Sequence, residues 1–264
     1  MENSIIAYVF AEGEWLLSLY VAIGALAIFF VGRYLLLLSP AMRQTRELNQ
    51  EAARERVKRS YYPPIQKRSK FWGLMTQLVV FLLVIPFSVT LAPQPWWEIL
   101  LDIFIILMVY DFFYYLVHRF LFHDGPLGAP LKWVHAVHHQ MKNPCRKDSA
   151  YLHPIETCLG IALYAATIGV LAIIMGEFHI VSTIVTFVAF SAINQHNHDL
   201  MEVDRFPFRY LKYMSDMHHV HHARFIGGNF ATISLFYDWL FGTYDTGEGW
   251  GKHRHKNART VAAR

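Results

Sequence analysis

LKWVHAVHHQ, Leu131 to Gln140, decides how the rest of the chain is read. It places His135, His138 and His139 at i, i+3 and i+4, so on a helix the three imidazoles share a face. Neutral imidazole is a strong ligand for iron, zinc, copper and nickel. MHHVHHARF repeats the offsets with His218, His221 and His222, and places His219 between them. HRFLFH adds His118 and His123, QHNHD adds His196 and His198, and YLHPIE adds His153. Thirteen of the fifteen histidines fall between positions 118 and 222. A single His on an apolar face is an ordinary core residue, but a repeated spacing with three further His stretches points to metal.

Between these stretches lie membrane-like runs. The chain is 54% hydrophobic, above the soluble-domain average. Trp15 to Leu38 is one apolar run with Arg33 near its end, and about 20 residues cross a bilayer core. Phe71 to Ala92 is a second span with Pro86 as a kink, and Trp96 to His118 a third. Thr157 to Met175 is a fourth, and Ile180 to Asn194 a short fifth that either crosses or forms a shallow re-entrant hairpin with the fourth. The expected fold is all-α: a polytopic membrane helical bundle of four to five spans with a cytoplasmic histidine-rich helical cap. Residues 1–95 form an N-terminal membrane region with two spans and a basic loop, 96–246 a catalytic domain, and 247–264 a basic polar tail. The N-terminal 14 residues are acidic and show no secretory signal.

Orientation follows from charge. Arg43 to Lys70 holds nine Lys or Arg against three Glu, a positive-inside signal that places this segment in the cytoplasm as a solvated topology determinant. Pro63-Pro64 ends any helix there. The His stretches then fall on the cytoplasmic side and His179 alone on the other, so His179 is excluded from the site. The net charge of +4 and the apolar setting of the aromatics exclude nucleic-acid binding. Cys145 and Cys158 form no CxxC pair, so they suggest neither a thiolate zinc site nor an iron–sulfur centre.

The candidate ligands are His118, His123, His135, His138, His139, His196, His218, His221 and His222, with His153, His198 and His219 in second rank. His118 and His123, five apart, cannot share an α-helical face, so the helix must end or distort between them. Asp111 and Tyr115 lie on the same face as His118, and intramembrane acids are costly enough to suggest function. Asp111 is expected to hydrogen-bond a ligand histidine or polar backbone. Asp102 is read as structural.

HRFLFH, HAVHH and HHVHH resemble the three histidine boxes of the fatty acid hydroxylase / sterol desaturase superfamily of integral-membrane di-iron enzymes. DFFYYLVHR, YLHPIE, QHNHD and NFATISLFYDWLFGTY are similar to segments that lead into, separate and follow those boxes. The resemblance covers about residues 101 to 244. One departure is the first box, with four residues between its histidines where many members have three. The resemblance implies two iron ions, O2 as cosubstrate, and oxidation of an unactivated C–H bond in a membrane lipid: a sterol, fatty acyl chain, ether lipid or lipid headgroup. Hydroxylation is the first expectation and desaturation the alternative; a purified sample is also able to hold zinc. No dinucleotide, haem or iron–sulfur motif is present, so electrons are expected from a separate ferredoxin or a cytochrome b5-like donor with its reductase. The membrane is expected to be a bacterial inner membrane, with the endoplasmic reticulum as alternative. A metal transporter or sensor is the different-class reading, disfavoured because the fourth and fifth spans hold no histidine. Zinc hydrolysis is disfavoured because HExxH is absent.

Overall fold

A computed structural model describes residue 11 and residues 13–251. Residues 1–10 and 12 of the N-terminal stretch read as acidic, and His253 and His255 of the basic tail, lie outside the described residues. Among the described residues the fold is helical: α1 (Trp15–Leu36), α2 (Pro40–Val57), α3 (Tyr62–Leu83), α4 (Trp96–Val117), α5 (Lys132–His138), α6 (Pro154–Met175), α7 (Ile180–His196), α8 (Arg209–Ala223) and α9 (Phe236–Leu240). Helices α1, α3, α4 and α6 are long and apolar enough to cross a membrane, and α7 is a shorter apolar helix of 17 residues. The chain is a multi-pass membrane protein.

The spans pack through an aromatic and aliphatic core while presenting apolar side chains outward. Tyr164 and Phe190 stack at 4.8 Å, and Tyr110 meets both rings edge-on. Val21, Val80, Ile106 and Ile168 fill the space around them. Leu26, Phe30, Phe104 and Ile173 face away from the protein, as lipid-facing residues do. Gly24 lets α1 approach α7: a Cβ there would meet Ile184 Cδ1 at 2.7 Å.

Pro86 breaks the α-helical ladder near the end of the second span, which runs on to Phe87 as a tighter turn. α3 stops at Leu83, and Ile85–Phe87 is a 3-10 turn, because Pro86 has no N–H to continue the ladder. β1 (Val89–Thr90) follows and pairs in parallel with β2 (Phe178–His179), tying together the two turns at the end of the bundle away from the histidine boxes. His179, set aside in the sequence, caps α7 there by accepting from the Val181 N–H.

The basic segment is more than a solvated loop. α2 buries Ala41, Met42, Thr45 and Asn49 against the histidine-bearing end. Asn49 donates to Leu200 O at 3.0 Å and accepts from the N–H groups of Arg146 and Leu200. Pro63 and Pro64 close no helix themselves; they open α3, since the first helical turn needs no N–H donors. Tyr62 beside them donates to Asp148 Oδ1 at 2.7 Å and stacks on Tyr151 at 4.8 Å, fixing the loop that precedes α6.

Candidate metal centre

His118 and His123 are brought together by a π-helical turn. In an α-helix residues five apart diverge by about 140°. Here α4 runs without a break into a π turn over His118–His123, and the Asp124 N–H donates to Arg119 O at 2.8 Å, an i+5 bond. The wider turn puts both imidazoles on one side, with ring centroids 5.0 Å apart. The helix distorts rather than ends, one of the two outcomes expected from the spacing.

Two groups of imidazoles result. The ligating nitrogens of His118, His123, His135 and His221 lie within 4.8 Å of one another, as do those of His138, His198, His218 and His222. His139 joins the first group, with Nε2 3.0 Å from Nε2 of both His135 and His221. Each three-histidine box therefore straddles both groups. On a helix i+4 lies about 40° from i on one side, and i+3 about 60° on the other. The i and i+4 members go together (His135 with His139, His218 with His222), and the i+3 members His138 and His221 cross to the other group.

The hydrogen bonds fix the tautomers. Nδ1 of His118, His123 and His221 lies 2.7, 2.7 and 2.8 Å from the carbonyls of Phe230, Phe225 and Gly228. Nδ1 of His135 lies 2.6 Å from Glu156 Oε1. Nδ1 of His138 and His198 face the carbonyls of Tyr151 and Asn194. A carbonyl only accepts, so each of these Nδ1 atoms facing one carries the proton and its Nε2 is a bare lone pair. The carboxylate at His135 selects the same tautomer. Yet His118 Nε2 stands 3.0 Å from His135 Nε2, and His138 Nε2 stands 3.0 Å from His198 Nε2. Lone pairs aimed together in a buried site repel unless a cation lies between them. His123 Nε2 and both ring nitrogens of His222 are buried without a hydrogen-bond partner. The residues present therefore fit metal ions. At a metal–nitrogen bond of about 2.1 Å, ligands at right angles stand about 3.0 Å apart, and ligands at tetrahedral angles about 3.4 Å. The nitrogens of His118 and His135, His135 and His139, His139 and His221, and His138 and His198 stand 3.0 Å apart, within the reach of a shared cation.

Burial keeps the cap imidazoles neutral, as ligands must be. It pushes His198 and His221 down to about 4, and His135, His138, His139, His218 and His222 well below the usual imidazole range, helped by neighbouring imidazoles.

His196, expected as a ligand, does not join either group, and His198 stands there instead. Two residues apart, the two side chains point to opposite sides of the end of α7. His196 spends both ring nitrogens, Nδ1 on Asp199 Oδ2 at 2.9 Å and Nε2 on Leu211 O at 2.9 Å. Asp199 also accepts two bonds from Arg146, at 2.7 and 2.5 Å. Burial favours its neutral acid, but Arg146 and His196 outweigh that and hold its carboxyl below the usual range. A His196→Ala variant is thus expected to keep its full metal complement but unfold at lower temperature, read by metal analysis beside a melting curve. His153 caps α6 by accepting from the Ile155 N–H at 3.2 Å and packs on Trp133, outside both groups. His219 is half-buried and also outside them.

Asp111 and Tyr115 touch no imidazole of either group. Asp111 accepts from the N–H groups of Thr232, Ile233 and Ser234 and from the Ser234 hydroxyl. This is the polar-backbone outcome expected for it. Tyr115 OH lies 2.6 Å from Arg119 Nη1 and 3.2 Å from Thr243 Oγ1. Asp111 binds the backbone just after Phe230 and Tyr115 meets the Phe230 ring, and the Phe230 carbonyl faces His118 Nδ1.

Glu156 is the site residue that the sequence reading passed over, although it stands in YLHPIE. Only the fold shows that it faces His135. A Glu156→Gln variant keeps an acceptor for Nδ1 but loses the charge, and is expected to weaken metal retention about 10–100-fold, measured by chelator competition. Glu156 also lines a cavity of about 150 Å³ that runs from His118, His135, His138 and His198 down between the spans to Tyr110 and Phe190. A cavity of this size holds a ring or a short length of chain rather than a whole lipid.

The family model for fatty acid hydroxylases matches residues 103–243. Among curated proteins, the chain is 26% identical over 181 residues to methylsterol monooxygenase 1 of Danio rerio, covering 67% of this chain and 57% of that protein. It is 30% identical over 172 residues to a methylsterol monooxygenase of Aspergillus fumigatus, covering 61% and 52%. It is 27% identical over 165 residues to a very-long-chain aldehyde decarbonylase of Oryza sativa subsp. indica, covering 57% and 55%. The chain thus spans little more than half the length of each. No solved structure matches it.

Proposed function

Because the chain belongs to the fatty acid hydroxylase family, part of the fatty acid hydroxylase / sterol desaturase superfamily, we propose that it is an O2-dependent di-iron hydroxylase of a membrane lipid. The observation that carries this reading is the pair of imidazole groups, with bare Nε2 atoms converging beside a largely apolar cavity lined by residues of the spans. His118, His123, His135, His139 and His221 would hold one iron, and His138, His198, His218 and His222 the other. Iron bound there would supply the activation of O2 that an unactivated C–H bond demands.

The chain supplies position and exclusion. The carbonyls of Phe225, Gly228 and Phe230, with Glu156, hold four imidazoles of the first group in one tautomer. Tyr110, Tyr114, Ile161 and Phe190 line the cavity and keep water from the lipid carbon. The monooxygenase names of two relatives favour hydroxylation over desaturation. Arg43 to Lys70, which packs at the histidine-bearing end, supports a cytoplasmic site by the positive-inside rule, served by a separate ferredoxin or cytochrome-type donor.

Protein purified from iron-supplied cells is expected to carry two irons per chain, and His138→Ala to lose iron from one group first. A correctly folded protein that binds no iron overturns the reading.

A further inference from the structure

We infer that residues 232–244 form a membrane-embedded wedge lying against α4 inside the hydrocarbon layer, so that its exposed aromatic face contacts lipid rather than water or a second protein.

Depth is set by α4. Trp96, at its end away from the histidines, is exposed and suits the far interface. At 1.5 Å per residue, Met108 stands about 18 Å along the helix from Trp96, Phe112 about 24 Å and Tyr115 about 28 Å. A hydrocarbon core about 30 Å thick contains all three. The segment touches each of these residues. Tyr237 OH donates to Met108 O at 3.0 Å. Phe112 packs on Tyr237 and Phe241, with centroids 5.4 and 6.3 Å away. Phe241 stacks on Tyr115 at 5.2 Å. Asp111, at the same depth, takes its hydrogen bonds from residues 232–234.

The segment meets the requirements for burial in lipid. Most of its backbone donors are satisfied within the protein: those of Thr232, Ile233 and Ser234 by Asp111, that of Phe236 by the Ser234 hydroxyl, and those of Trp239, Phe241, Gly242, Thr243 and Tyr244 by carbonyls of the segment itself. Irregular backbone is tolerated at membrane depth where it is buried against protein, and this segment packs on α4 through Tyr237 and Phe241 while its aromatic side chains face outward. Its single charged residue, Asp238, is wholly buried and accepts from the N–H groups of Phe230 and Ala231 and from the Thr243 hydroxyl. Phe236, Trp239, Leu240 and Phe241 point outward, and Trp239 is 71% exposed. Phe104 and Phe113 of α4 are exposed as well. A water-facing surface of that composition would be costly.

The test places a nitroxide on Cys introduced as Trp239→Cys, in a Cys145→Ala, Cys158→Ala background, with the full chain in phosphatidylcholine nanodiscs. Phe104→Cys serves as the lipid reference and Lys58→Cys as the aqueous one. The expected result is relaxation by O2 well above that by a water-soluble nickel chelate, matching Phe104→Cys. Access to the chelate equal to that at Lys58→Cys, or occlusion from both probes, overturns the inference. Phe236→Cys repeats the measurement where Trp239→Cys does not fold, with the same two readings deciding.

Discussion

Gly228→Ala is expected to halve the iron content, from two per chain to about one. A Cβ at this position would stand 1.8 Å from the carbonyl oxygen of Thr243, which is backbone and unable to swing aside. The 225–230 turn must shift, and its Phe225, Gly228 and Phe230 carbonyls hold His123, His221 and His118. All three belong to the first group. The second group is oriented from elsewhere, by Tyr151 O and Asn194 O, so it should keep its metal. Losing an outer hydrogen bond to a ligand typically weakens metal affinity 10–100-fold, and here about three would be disturbed together. Metal analysis with a melting curve reads the result. Equal loss from both groups, or full retention of two irons, would show that the turn does not position the first group.

The second large effect falls on Asp111. Asp111→Ala would leave the N–H groups of Thr232, Ile233 and Ser234 without acceptors in a buried site. An unsatisfied buried donor costs roughly 1–3 kcal/mol, so the sum is about 3 kcal/mol or more. Asp111→Asn keeps one acceptor oxygen and should lose distinctly less. The expected order in detergent melting is wild type, then Asn, then Ala. Iron loss should follow the same order, because the 232–234 segment follows Phe230 directly and so steers the carbonyl that faces His118. An Ala variant as stable as the wild type would mean that the segment is held without the carboxylate.

What was legible in the sequence divides by range. The two i, i+3, i+4 boxes and the apolar runs are local patterns, and the fold keeps both. The partition of each box between two groups was not legible, since the spacing puts all three imidazoles on one face and only the fold sends the i+3 member to the other group. The π turn was legible only as a conflict, since five-residue spacing in an α-helix separates His118 from His123. QHNHD was ambiguous: alternating histidines must face opposite ways, and only the position of Asp199 and Arg146 shows that His196 faces the structural side. The carbonyls of Phe225, Gly228 and Phe230 leave no mark in the sequence, because a backbone acceptor is the same at every residue. The burial of α2 was hidden by its charge. Its few apolar and amide residues reach the cap, while its arginines and lysines dominate the composition.

The most direct measurement is whole-lipid mass spectrometry of cells expressing the wild type or the His138→Ala, His139→Ala double variant, with a matched electron donor and 18O2. One lipid species should gain a single 18O atom in the wild type and remain unlabelled in the variant. Identical lipid spectra from a folded, iron-loaded and reduced wild type, across sterol, fatty acyl and ether lipid supplements, would contradict the assignment of the two histidine groups to lipid hydroxylation.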